Sequence, residues 1–188
     1  MPSLLPLFAL TVVASAPLLA SEVVPVPAFR AVELRGGGEV QLRPGPVQRV
    51  TLIEGSSQFT SIRVEREGKL RIDACNARCP QHYHLRVLIE GPAIPPTLGV
   101  SGGGSIAAAP GFAEARELTL AVNGGGVIDT RAALSNSVTA AVNGGGQINA
   151  RPRSVLTAAV NGGGEVRYWG NPAVTSAIRG GGTVRPGV

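Results

Sequence analysis

LTLAVNGGGVID, residues Leu118 to Asp129, is the stretch from which a fold can be read. Leu118, Leu120 and Val122 share one parity; Thr119, Ala121 and Asn123 share the other. Period-two alternation puts the first set on one face of a β-strand. The run then meets Gly124-Gly125-Gly126, and Val127 and Ile128 resume a strand-like pattern. Asn-Gly and Gly-Gly steps tolerate positive φ and sharp turns, so the glycines mark a corner. A helical reading fails, because each glycine would cost about 1 kcal/mol relative to Ala.

The pattern returns as VTAAVNGGGQIN (Val138 to Asn149), LTAAVNGGGEVR (Leu156 to Arg167) and VTSAIRGGGTVR (Val174 to Arg185). Gly-Gly-Gly triplets start at Gly36, Gly102, Gly124, Gly144, Gly162 and Gly180, and the last five starts are separated by 22, 20, 18 and 18 residues. A period near twenty is the signature of stacked repeats. Aligned on the triplets, Val100, Val122, Val142, Val160 and Ile178 form one column, and Ile106, Ile128, Ile148, Val166 and Val184 another. Such columns would bury a continuous aliphatic core that no single coil could bury alone. The expected fold is all-β, a β-solenoid with Gly-Gly-Gly corners and coils of about 18–22 residues. Asn123, Asn143 and Asn161 are expected to stack there as an amide ladder.

The composition agrees with a single β-rich domain. The chain has 188 residues, 44% hydrophobic but only 4% aromatic, so its core must be aliphatic. The 26 glycines and 15 prolines are high for a globular chain, but periodic glycine argues for repeats over disorder. The net charge of +5 comes almost wholly from arginines scattered between Arg30 and Arg185, with no basic run and little aromatic interleaving. That argues against nucleic-acid binding.

Leu4 to Leu19 is apolar and uncharged, broken by Pro6 and Pro17, and followed by Ala20-Ser21. It reads as an export signal over residues 1–20, although its amino-terminal side carries no Lys or Arg. Ser21 stands where a lipid-bearing cysteine would be, so no lipid anchor is expected. The expected organisation is signal 1–20, linker 21–27 and a single domain over 28–188. The mature chain is expected in the periplasm or outside the cell, without a transmembrane segment.

The periodic Gly-Gly-Gly corners, with Phe29 to Leu34, Gly36 to Leu42, Leu70 to Ile72, Leu85 to Ile89 and Tyr168 to Pro172, resemble the head GIN domain family named for autotransporter adhesins. Members typically carry Gly-Ser-Gly at the corners. The resemblance implies a right-handed parallel β-helix across nearly the whole mature chain, and it brings no catalytic residues.

Between residues 70 and 90 the repeat is interrupted. Leu70 to Ala74 and His82 to Glu90 read as strands, joined through Cys75-Asn76-Ala77-Arg78-Cys79-Pro80-Gln81. In an exported protein, two cysteines flanking a short loop read as a disulfide. The alternative is a zinc or copper(I) site made by Cys75, Cys79, His82 and His84, with the two histidines sharing a strand face.

Catalytic signatures are absent. Asp73 and Asp129 are the only aspartates, no repeat column carries acids, and no phosphate loop or Gly-x-Ser-x-Gly elbow occurs. The reading is a cell-envelope binding or structural module, adhesin-like, without cofactor or catalytic site. A periplasmic metal-binding protein is the alternative, and a glycan-acting enzyme is less favoured. Envelope glycans or surface proteins are the expected partners. The last coil, ending Thr183 to Val188, has no cap, so self-association through that end is also expected.

Overall fold

The structure, a computed structural model, describes residues 21–76 and 78–187. The expected export signal, residues 1–20, lies outside the described residues. Among the described residues, fifteen strands form one hydrogen-bonded sheet: β1 (Glu22–Val24), β2 (Ala31–Gly36), β3 (Glu39–Pro44), β4 (Arg49–Glu54), β5 (Ser61–Val64), β6 (Lys69–Asp73), β7 (Arg86–Gly91), β8 (Thr97–Gly102), β9 (Ser105–Ala108), β10 (Ala115–Gly124), β11 (Val127–Gly144), β12 (Gln147–Asn161), β13 (Glu165–Tyr168), β14 (Ala173–Arg179) and β15 (Thr183–Pro186).

The glycine-punctuated segments align in parallel register. β10 pairs β8 and β11, matching Val122 with Val100 and Val142, and β12 pairs β11 and β14, matching Val160 with Val142 and Ile178. Past the corner, Ile128 pairs with Ile106 and Ile148, and Val166 with Ile148 and Val184. The long strands β11 and β12 take part on both sides of the core. Val100, Val122, Val142, Val160, Ile106, Ile128, Ile148 and Val166 are all buried.

The whole is nevertheless not the expected right-handed parallel β-helix. Eleven strands follow one path, β1-β4-β7-β3-β9-β11-β10-β8-β2-β6-β5, which turns back at β11 and nearly closes as a mixed-strand barrel. Its two ends approach each other across a cavity lined by Val24 and Leu52 on one side and Ile62 on the other. The pairings β1 with β4, β4 with β7 and β5 with β6 are antiparallel. For β5 and β6 the reason is local. Glu65 to Gly68 makes a tight turn, with Gly68 at φ 70° donating to the Glu65 carbonyl at 3.0 Å. A turn that short can only join antiparallel neighbours. Glu22–Val24, expected in a linker, also adds a strand against β4.

The corner glycines divide the work unequally. The first of each repeated triplet has positive φ, 117° at both Gly124 and Gly144. A Cβ on the third, Gly146, would lie 2.6 Å from the Gly126 carbonyl oxygen and collide with Val122 Cγ1. The middle glycine, Gly145, has nothing within 4 Å of its missing Cβ. Along the same edge the Asn143 amide donates to Asn123 Oδ1, and Asn161 to Asn143 Oδ1, each at 3.0 Å.

At the far end β14 pairs only β12, and all seven of its residues are exposed. Val174 and Ile178, which continue buried columns, are 40% and 45% exposed. Among the described residues no helix is long and apolar enough to cross a membrane.

Candidate functional site

The distinctive surface is built by a mismatch between two neighbouring strands. β11 and β12 run in register through Asp129 and Asn149, and register resumes at Leu134 and Arg151. β11 therefore spends five residues where β12 spends two. The three extra residues form a bulge, and a bulge of this kind re-aims side chains; one residue is given back between Ser135 and Ser137, where β12 spends three residues against two. Arg131 and Ala132 ride on it, both exposed, while Thr130 is buried and donates to the Asn149 carbonyl at 3.3 Å.

The bulge carries Arg131 across the sheet to the only tryptophan of the chain. The Arg131 guanidinium carbon lies 5.0 Å from the centre of the Trp169 ring. Asp129 fixes the other side of the guanidinium, with Nη2 to Oδ2 at 2.6 Å and Nε to Oδ1 at 3.0 Å. On the opposite side the indole lies over Gly187, where an added Cβ would collide with the ring. Trp169 is thus held between a cation and a bare backbone, and two cavities open beside it. One, of about 660 Å³, is lined by Ala107, Ala108, Asp129, Arg131, Ala132, Arg151, Trp169 and Gly170. The other, of about 420 Å³, is lined by Arg131, Gln147, Asn149, Arg167, Trp169, Arg185, Pro186 and Gly187.

The surface is cationic. Arg131, Arg151, Arg167 and Arg185 surround the indole against the carboxylates of Asp129 and Glu165, an excess of two positive charges. Glu165 faces both Arg167 and Arg185. Arg167 above all holds its carboxyl below the ordinary carboxylate range; partial burial opposes this and Arg185 assists it. Arg167 Nε is 2.9 Å from Glu165 Oε1, but its N–H is not directed at that oxygen and finds no acceptor among the described residues. The separation is short enough for charge to act, so we read the pair as an ion contact rather than a hydrogen bond. The Arg151 side chain makes neither ion pair nor hydrogen bond among the described residues. Asp129 is the one carboxylate lining either cavity, and Arg131 engages both its oxygens.

The cysteine and histidine residues sit elsewhere. Cys75 and Cys79 are joined as a disulfide. The expected strand over His82 to Glu90 begins only at Arg86, and His82 takes φ 62° in a turn, so His82 and His84 do not share a strand face. Both are exposed, and among the described residues no three His, Cys, Asp or Glu side chains gather as a metal site. Tyr83 points inward instead. Its hydroxyl accepts from Ser56 N at 2.8 Å and lies 2.6 Å from Thr60 Oγ1, and its ring meets Phe59 edge-on at 5.7 Å. This region is a stapled loop packed by an aromatic pair.

Residues 97–172 match the family described as putative auto-transporter adhesin, head GIN domain. The head GIN resemblance is shown over this stretch. The matched stretch begins at β8 and includes the bulge, Arg151, Arg167 and Trp169; Arg185 follows it. A solved structure of a putative adhesin from Bacteroides fragilis superposes with a TM-score of 0.55 at 15% identity, covering 89% of this chain and 96% of that one. Identity this low shows a shared fold and nothing finer. A putative adhesin and a putative lipid binding protein, both from Parabacteroides distasonis, align with TM-scores of 0.45 and 0.49 at 18% and 13% identity. The first alignment covers 89% of this chain and the second 90%, each with 96% of the other protein. Those overlaps are too loose to argue from. No curated protein matches the sequence.

Proposed function

We propose that this chain is an exported, adhesin-like binding module of the bacterial envelope that uses the Trp169 face as its contact surface and carries out no chemistry there. The observation behind this reading is the Arg131–Trp169 stack between two open cavities. Concave sites with a pre-positioned aromatic ring and a few convergent polar groups are where ligands bind. The head GIN match supports a role in adhesion and export. The lone cavity carboxylate, occupied by Arg131, supports binding over catalysis.

The test is retention of bacterial envelope fractions by the immobilised mature protein, its Trp169→Ala variant, and Arg116→Met, which changes an arginine lining neither cavity. The reading expects retention by the parent and Arg116→Met and loss with Trp169→Ala. Equal retention by all three would place binding on another surface.

A further inference from the structure

The chemical class of the ligand follows from what surrounds the indole. We propose that Arg151 and Trp169 together hold a sugar ring bearing an anionic group, carboxylate or sulfate, within an acidic polysaccharide. This rests on the reading of the Trp169 face as the contact surface.

Arg131 is committed to Asp129, and Arg185 to Glu165. Arg151 faces the larger cavity with no partner among the described residues. An arginine fork with five donors and no acceptor matches a planar anion in two-point fashion, and such charge-assisted hydrogen bonds are the strong ones. The ligand must therefore bring negative charge.

It must also bring a flat, partly apolar face. Trp169 is half-buried and braced by Arg131 and Gly187, and Ala107, Ala108 and Ala132 also line the larger cavity. A pyranose ring offers both properties, with C–H bonds on its face and hydroxyl or acid groups at its rim. Gln147 and Asn149 line the neighbouring cavity with amides that can meet hydroxyls. Rungs of parallel strands repeat about every 4.8 Å, so the face offers donors at regular intervals to a regular polymer.

Trp169 is the sole tryptophan, so its emission reports occupancy directly. The mature protein is titrated with oligogalacturonate, with its methyl ester, with a sulfated galactan oligomer, and with phosphatidylglycerol vesicles. We expect saturable change with one or both anionic oligomers, at least about tenfold weaker binding of the neutral ester, and further weakening at high salt. Arg151→Met should weaken the anionic oligomer about tenfold or more while circular dichroism stays unchanged. Arg116→Met should leave it unchanged. Calorimetry with Trp169→Phe, which keeps an aromatic face, should show binding retained within a few-fold, against loss in Trp169→Ala. Equal affinity for the acid and its ester would overturn the anionic class and leave the contact surface standing. Binding to vesicles with none to oligomers would overturn the saccharide. Binding that survives both Trp169→Ala and Arg151→Met would overturn this inference and the proposed function together.

Discussion

Replacing Gly146 by Ala tests the corner argument where it is sharpest. The new Cβ would stand 2.6 Å from the Gly126 carbonyl oxygen and against Val122 Cγ1, in the middle of the buried valine column. That carbonyl already accepts from Gln147 N at 2.9 Å. It cannot retreat without stretching the hydrogen bond that starts β12. Overpacking of this kind costs about 1–3 kcal/mol, and a weakened backbone bond adds about 1 kcal/mol. The expected loss is about 2–4 kcal/mol. One residue earlier, Gly145 has open space around its missing Cβ and no positive φ. Gly145→Ala should be neutral or should stabilise by about 0.4–1 kcal/mol, by restricting the unfolded chain. Urea unfolding followed by circular dichroism measures both. At a slope of about 2 kcal/mol per molar, the midpoints of the two variants should differ by roughly 1–2 M. Equal midpoints would refute the account of the triplet. The same contrast explains why a serine is admissible at the centre of such corners and not at the third position.

Further outcomes follow from particular contacts. Leu120→Ala, at a fully buried position, should cost about 3 kcal/mol, whereas Ile178→Ala on the exposed β14 should cost less than about 1 kcal/mol in the same unfolding assay. Asn143→Ala removes the centre of the amide chain and should lower stability by about 1 kcal/mol, since both its bonds are exposed. The Cys75–Cys79 disulfide closes no larger loop than a four-residue separation, so its reduction should cost about 2 kcal/mol, read as a shift in unfolding midpoint with and without reductant. Glu165 is depressed in the folded chain, so the stability it contributes is present above the ordinary carboxylate value of 4.5 and is lost as pH falls through the lower folded value. A carbon-detected NMR titration should place its midpoint below 4.5, and a midpoint at or above that value would contradict the Arg167 contact.

The repeated half of the chain was legible because its registers are written in the sequence. The columns through Val122, Val142 and Val160, and through Ile128, Ile148 and Val166, pair as the triplets align them. The residues before Thr97 were not legible in the same way. They carry one triplet, at Gly36, and the hairpin turn at Glu65 to Gly68 reverses the chain within what was expected to be parallel stacking. Extending the repeat's rule over that stretch gave the wrong closure. The cleft was missed for a different reason. Its arginines are 16 to 20 residues apart in sequence and look scattered, and only strand pairing gathers them. A signal was present: the triplet spacing falls from 20 to 18 residues where the bulge ends, and Arg131 lies within the longer coil. The histidines misled because period-two alternation over His82 to Leu85 precedes the strand rather than belonging to it.

Hydroxyl-radical footprinting of residues 21–188, with and without bacterial envelope fractions, tests most directly which surface does the proposed binding. Trp169 should lose reactivity on binding, together with Pro186, while Val47 and Val155, exposed and outside both cavities, keep theirs. Protection of those valines with Trp169 fully reactive would contradict the assignment of the contact surface.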